Sequence, residues 1–226
     1  MKKPFIFINS AMTVDGKIST LERRQVRISS QKDMEVVDKL RAGSDAVLVG
    51  MKTLLTDDPK LTVKSGRLRE ERLEMGLSEN PMKVAVGRID SVNLDSEFLN
   101  YGNAVKVFFA SMHSDTLKID ELGNMAKVYV SADNEIDPFF IAETLHDLGV
   151  RKLMIEGGAE TNYCFLRAGL VDEMYVTVAP RIFGGKNAPT LVDGDGFMED
   201  GVLKLKLFFV DRDCDELRLK YRVLNR

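Results

Sequence analysis

Two cysteines and two histidines are all that this sequence offers as thiol or imidazole ligands, and they are scattered. Cys164 and Cys214 stand far apart without a CxxC, which removes a disulfide framework and a thiolate metal site from expectation. Cys164 falls inside a helical pattern and is expected as a small core residue. His113 and His146 have no cysteine or carboxylate at ligand spacing, so no metal is expected, structural zinc included. No histidine accompanies a Ser or Cys motif, which excludes a hydrolytic triad. No apolar run approaches the roughly 18 residues of a membrane helix. The opening MKKPFIFINS has an apolar run too short for a signal peptide and suits a first strand, so a cytoplasmic protein is expected. A net charge of −3 supplies no basic footprint for nucleic acid or an anionic membrane. Repeats and low-complexity segments are missing too.

What is present describes an ordinary globular chain, 44% hydrophobic and 30% charged, long enough for one domain over residues 1–226. Strands and helices alternate. Pro4–Asn9 reads as a first strand, followed by an amphipathic helix over Ser30–Ala42 with a capping-box-like start at Ser30 and Asp33 and a stop at Gly43. Ala46–Gly50, Met82–Val86, Val105–Ala110, Ala126–Val130 and Lys152–Ile155 read as short strands. Asp137-Pro138 opens a helix to Leu148, as N-cap and first helical residue, and Ala159–Ala168 forms another, stopped by Gly169. Residues 64–80, rich in Arg and Glu, read as an exposed loop or a solvated short helix. Glu173–Ala179, Leu203–Val210 and Asp215–Leu224 break the alternation. With Asp211–Asp215 as a polar turn, the last two form an antiparallel hairpin. The expected fold is α/β: a three-layer α/β/α arrangement on a mostly parallel mixed sheet.

Two segments carry chemistry. In Ala46–Lys64 a buried strand ends at Gly50, one helical turn carries Thr53, and Asp57-Asp58-Pro59 turns the chain. Ligands of open α/β sheets sit at the carboxyl ends of strands; a plain turn with capping Asp residues would read similarly. Lys152-Leu-Met-Ile-Glu-Gly-Gly-Ala-Glu-Thr-Asn repeats the layout: strand, carboxylate, two glycines, helix. Glycines there admit a phosphate or ring to the backbone, and a helix start favours anions. A tight strand-to-helix connection is the alternative, though Glu156 at the rim argues for a site. Two other glycine motifs fail as nucleotide loops. Gly184-Gly185-Lys186 lacks the first glycine of the Walker pattern upstream and has Asn187 where Ser or Thr belongs. Gly194-x-Gly196 lacks a third glycine and a preceding strand.

Four ordered motifs, INSAMTVDGKIS, VGMKTLLTDDPKLTV, MIEGGAETN and LVDEMYVTVAPRIFGGKNAPT, together resemble the riboflavin-pathway reductases. That family includes free-standing archaeal reductases and the reductase half of bacterial bifunctional deaminase–reductases. The resemblance covers essentially the whole chain and implies a dihydrofolate-reductase-like fold. It implies hydride transfer from NADPH, or NADH, to C1′ of 2,5-diamino-6-ribosylamino-4(3H)-pyrimidinone 5′-phosphate, giving a ribitylamine. The deaminated uracil analogue is the alternative substrate.

Residue by residue, the resemblance implies that Ala11, Thr53 and Asp57 meet the nicotinamide. Gly157, Gly158, Ala159, Glu160 and Thr161 form the pyrophosphate loop. Gly87 and Arg88 lie in a loop near the adenosine 2′-phosphate, where relatives carry Asp-Ser and basic residues and this chain has Val86-Gly-Arg-Ile-Asp-Ser. Gln25, Arg41, Leu61, Lys64 and Glu156 match substrate contacts, with Arg41 and Lys64 suited to a 5′-phosphate. Asp57 and Glu156 are the catalytic candidates, expected at the rim of one cleft: Asp57 near the transferred hydride, Glu156 as a substrate anchor. Asp15 organises the first turn or takes part in catalysis. A homodimer is expected through the apolar segments Met174–Val178 and Lys206–Val210. The rivals are a pterin reductase of the same fold and a non-catalytic nucleotide-binding module. For the first, helix Ser30–Ala42 offers Asp33, Glu35 and Asp38 but no clear inward carboxylate.

Overall fold

The computed structural model describes residues 2–224. In chain order its elements are β1 (Phe5–Thr13), α1 (Gln31–Ala42), β2 (Ala46–Gly50), α2 (Met51–Asp57), α3 (Gly66–Glu74), β3 (Met82–Gly87), α4 (Glu97–Asn100), β4 (Lys106–Ala110), α5 (Thr116–Gly123), β5 (Lys127–Val130), α6 (Pro138–Asp147), β6 (Lys152–Ile155), α7 (Ala159–Arg167), β7 (Glu173–Ala179), β8 (Lys204–Asp213) and β9 (Glu216–Leu224). Side-chain caps set most helix starts. Ser30 Oγ accepts from the Asp33 amide at 3.2 Å, and Asp137 caps α6 with Pro138 in its first turn. The chain forms two compact units: Val37–Met154 with the chain start, and Phe5–Val36 with Ile155 onward.

In the first unit the strand order is β5-β4-β3-β2-β6, and β2–β3, β3–β4 and β4–β5 pair in parallel. Every residue of β2 is buried, as expected where helices cover both faces of a parallel sheet. Leu48, Val84, Phe108 and Leu153 are fully buried, each contributing about 1.5–3 kcal/mol by leaving water. Two cations lie among them. Arg72 is 3% exposed and donates to the carbonyls of Ala42, Ser44 and Ser78 at 2.7, 2.9 and 2.8 Å. Residues 66–74 are thus a helix, as one reading of that stretch allowed, but Arg72 is a buried clasp on the end of α1. Lys83 is fully buried and donates to the carbonyls of Phe98 and Tyr101 at 2.8 and 2.6 Å.

In the second unit the order is β1-β7-β9-β8. β1 and β7 are parallel, while β7–β9 and β8–β9 are antiparallel, with a register shift between Leu207 and Phe209. The mostly parallel α/β architecture with an antiparallel C-terminal pair is as expected. Three details differ. The hairpin turn is shorter than Asp211–Asp215: β8 runs to Asp213, and Cys214 turns the chain at φ 55°. Arg218 pairs with Asp211 and Asp213, and Lys32 with Asp213, so these charges extend the ladder rather than ending it. Met174 and Val176 are buried, so the exposed apolar surface lies on β8, from Leu205 through Val210. Cys164 is exposed. The helical period gives the buried face of α7 to Asn162, Tyr163, Phe165 and Leu166.

Among the described residues, no helix is long and apolar enough to cross a membrane, and no cluster of His, Cys, Asp and Glu could hold a metal.

Candidate functional site

In the first unit, candidate residues gather at the end of β2. Gly50 passes directly into α2, whose start has no side-chain cap among the described residues. Thr53 and Asp57 sit four residues apart on α2, hence on one face of it. Both are half-buried. The two adjacent carboxylates have separate work. Asp58 takes a left-handed conformation at the helix end (φ 41°) and accepts from the amides of Glu97 and Phe98 at 2.8 and 3.0 Å, so it caps α4. Asp57 has no hydrogen-bond partner among the described residues, and burial alone raises its carboxyl pKa above 3.8. Burial thus favours its neutral form more than solvent exposure would.

Beside it, α1 organises the loop after Asp58. Asp38, buried on α1, accepts from the amides of Lys64 and Ser65 at 2.6 and 2.8 Å. Arg41, one turn on, donates to the Thr62 carbonyl at 3.2 Å. Three candidates, Arg41, Leu61 and Lys64, are therefore brought together. Leu61 is buried with φ 48°, an unusual backbone for a branched side chain that tends to mark a functional or tightly constrained turn. Its side chain belongs to the core, leaving its backbone for any ligand. The Lys64 side chain is exposed.

Gly87 and Arg88 follow β3. Gly87 has φ 138°, and a Cβ there would lie 2.6 Å from Cβ of Met51. This glycine therefore lets the first residue of α2 approach the sheet. Arg88 is exposed and donates to Asp90 at 2.6 Å, a pairing that surface solvent keeps weak.

In the second unit, Ile155 leads through Glu156 into Gly157, at φ 104°, and a cis Gly157–Gly158 peptide bond. Gly158 is the N-cap of α7, again with no side-chain cap among the described residues. The start of α7 lies at the positive end of the helix dipole, which favours an anionic group. A Cβ on Gly157 would meet open space, so its backbone angle, not crowding, requires glycine. Glu156 is half-buried, and Glu160 and Thr161 occupy the first turn of α7. Ala11 pairs with Thr177 across β1 and β7. Gln25 is exposed in the irregular segment between β1 and α1.

Asp15 is a loop organiser. It accepts from the Thr13 hydroxyl at 2.6 Å and from the amides of Phe183 and Gly184 at 3.2 and 2.8 Å. The Thr13 hydrogen bond first, then those amides, hold its carboxyl below its ordinary value. The expectation that α1 has no inward carboxylate is corrected: Asp33 and Asp38 are both buried. Asp33 accepts from the Thr177 hydroxyl at 2.7 Å and Asp38 holds the 64–65 amides, so hydrogen bonds to residues distant in sequence draw them inward against the apolar pattern. Asp38 and Asp58 are the organising residues that sequence reasoning missed; their signal was a polar residue at a helix position and a second Asp after Asp57.

In each unit a buried strand end passes through glycine into a helix start with no side-chain cap among the described residues, and such a start suits an anionic group. The RibD C-terminal domain family model matches residues 4–219. The chain is 40% identical over 197 residues to the 2,5-diamino-6-ribosylamino-4(3H)-pyrimidinone 5′-phosphate reductase of Archaeoglobus fulgidus, covering 87% of this chain and 90% of that one. It is 38% identical over 197 residues to the protein of the same name from Methanothermobacter thermautotrophicus, covering 87% of each. Among solved structures, Acinetobacter baumannii RibD matches with a TM-score of 0.78 at 24% identity over 98% of this chain. The chain spans 58% of that RibD chain, and the likeness is one of fold.

Proposed function

The chain belongs to the RibD C-terminal domain family, and from that premise we propose that it is a cytoplasmic, NADPH-dependent reductase of riboflavin biosynthesis. Its substrate is 2,5-diamino-6-ribosylamino-4(3H)-pyrimidinone 5′-phosphate, whose ribosyl group it reduces to a ribityl group. The observation that carries this reading is the 40% identity, over nearly the full length of both chains, to a reductase of that name.

When bound, the reduced nicotinamide supplies the hydride; the protein's residues bind, orient and move a proton. The substrate's ribose opens to an imine whose C1′ accepts hydride and whose nitrogen needs a proton. Asp57 is the proton donor: its desolvated carboxyl keeps its proton to higher pH than a solvated one. Thr53, on the same face of α2, and Ala11 position the nicotinamide ring. The positive end of the α7 dipole, with Gly157 and Gly158, takes the pyrophosphate, flanked by Ala159, Glu160 and Thr161. Arg88 takes the adenosine 2′-phosphate, exchanging its exposed pairing with Asp90 for a doubly charged partner. Arg41 and Lys64 bind the substrate phosphate, the Leu61 backbone and Gln25 its remaining polar groups, and Glu156 accepts from its hydroxyl or amino groups. Holding the two reactants in register supplies much of the rate.

β8 exposes Leu205, Leu207, Phe208, Phe209 and Val210 by 41–55% each. We read this edge as the contact of a homodimer, since such a strand invites pairing. Light scattering should give a dimer at micromolar protein; a monomer there would remove that part of the reading. The activity itself is tested by following NADPH oxidation with the diamino pyrimidine and its deaminated counterpart in turn. Oxidation with the diamino compound is expected; oxidation with the uracil alone would reassign the substrate, and none with either would reject the reductase. Arg88→Ala should narrow the preference for NADPH over NADH.

A further inference from the structure

The motif that ends in PRIFGGKNAPT, and the Gly194-x-Gly196 pair beyond it, take no part in the reading above. They lead into a strap over residues 188–197 that lies along the first half of α7. Asn162, fully buried on α7, donates from Nδ2 to the Leu191 carbonyl at 2.9 Å. The Asp193 amide donates to the carbonyl of Ala159, the first residue of α7, at 3.3 Å. The Tyr163 hydroxyl donates to the Gly196 carbonyl at 2.8 Å, and its ring lies 5.3 Å from that of Phe197. Gly194 is pressed against the same ring: a Cβ there would fall 2.2 Å from a ring carbon. Thr190 ties the strap to itself through the Asp193 carboxylate. Beyond these contacts the strap borders an open cavity of about 790 Å³, walled also by Leu166, Met174, Leu203 and Leu205. Core packing does not clamp it from that side, so its hold on α7 rests on a few polar and aromatic contacts.

We propose that Asn162, Tyr163 and Gly194 are positioning residues. Through them the strap fixes the first turn of α7, and with it the Gly157–Thr161 loop, in the orientation that binds the cofactor's pyrophosphate. The inference rests on the assignment of that loop to the cofactor. Asn162 separates it from a role in folding alone. Its Oδ1 is buried with no hydrogen-bond partner among the described residues, a cost that leucine in the same space would not carry. Leucine would, however, give up the bond to Leu191. The asparagine trades stability for the placement of one loop.

The test compares Asn162→Leu, Tyr163→Phe and Gly158→Val with the wild type. Three readouts are taken: NADPH Kd by fluorescence titration, thermal midpoint, and kcat at saturating NADPH. Asn162→Leu should keep the midpoint and kcat while weakening NADPH binding about three- to tenfold. Tyr163→Phe, which keeps the ring and loses one hydrogen bond, should weaken it in the same direction by less. Gly158→Val should weaken it more than either. If Gly158→Val weakens binding while both strap variants bind NADPH as the wild type does, the strap is a fold element only and the inference is wrong. The same conclusion follows if Asn162→Leu lowers the midpoint and Tyr163→Phe leaves Kd unchanged. If a folded Gly158→Val variant binds normally, the cofactor assignment fails first and the inference falls with it.

Discussion

Lys83→Met isolates one buried charge whose effect on stability can be worked out beforehand. The Lys83 ammonium is fully enclosed, and burial first, then the neighbouring Lys106, lowers its pKa from 10.5 to about 8. That difference corresponds to roughly 3 kcal/mol between its charged and neutral forms. The sign follows from proton counting. Below pH 8 the lysine is charged whether the chain is folded or not, and its desolvation cost is constant. Between pH 8 and 10.5 the unfolded chain holds the proton and the folded chain has released it, so stability rises with pH. Above 10.5 both are neutral and the cost is gone. Methionine removes the titrating group but leaves the Phe98 and Tyr101 carbonyls without their donor, at about 1–3 kcal/mol each. Near pH 7 the loss and the gain largely offset. Guanidinium unfolding of both proteins from pH 7.5 to 10.5 should show the wild type gaining roughly 3 kcal/mol more than the variant. Parallel profiles would refute the reasoning, because titrations common to both proteins cancel in the difference.

Asp57→Asn should lower kcat by about two orders of magnitude with little change in KM, while Glu156→Gln should mainly raise KM, in steady-state kinetics. The Asp57→Asn protein should also be at least as stable as the wild type at neutral pH. A carboxyl whose folded pKa is raised lowers stability as pH rises past its unfolded value, and asparagine has no such term. Arg72→Met strips the donor from three carbonyls and should cost roughly 3 kcal/mol or more in denaturant unfolding. Gly87→Ala should cost about 1–3 kcal/mol, since it combines φ 138° with a 2.6 Å approach to Met51; an unchanged midpoint would contradict the packing described for α2.

Apolar runs bounded by turn residues made most strands legible: β2, β3, β4, β5, β6 and β7 lie within a residue or so of their expected limits. Caps placed α1, α6 and α7 equally well, because Ser30, Asp137-Pro138, Gly43 and Gly169 act through local backbone hydrogen bonds. What stayed hidden depends on distant partners. Arg72 reads as one more charge on a polar helix until the carbonyls at the end of α1 meet it, and Lys83 as an ordinary solvent-facing strand lysine until α4 covers it. Cys164 reads as inward on size and type, yet the helical period gives its neighbours the buried face. Charge at Asp211 and Asp213 reads as a turn, whereas pairing with Arg218 and Lys32 continues the strand. At the candidate site the motifs marked α2 and the Gly157–Gly158 loop. They did not separate Asp57, which is uncommitted, from Asp58, which caps α4; that division depends on where residues 97 and 98 fold.

The central claim is that a nicotinamide hydride reaches C1′ of a ribosylaminopyrimidine. The most direct measurement uses NADPH deuterated at the transferable C4 position with the diamino substrate, and mass spectrometry of the product. A ribitylamine carrying one deuterium at C1′ is the predicted result. A product with no deuterium, or with deuterium on the pyrimidine ring, would contradict the account.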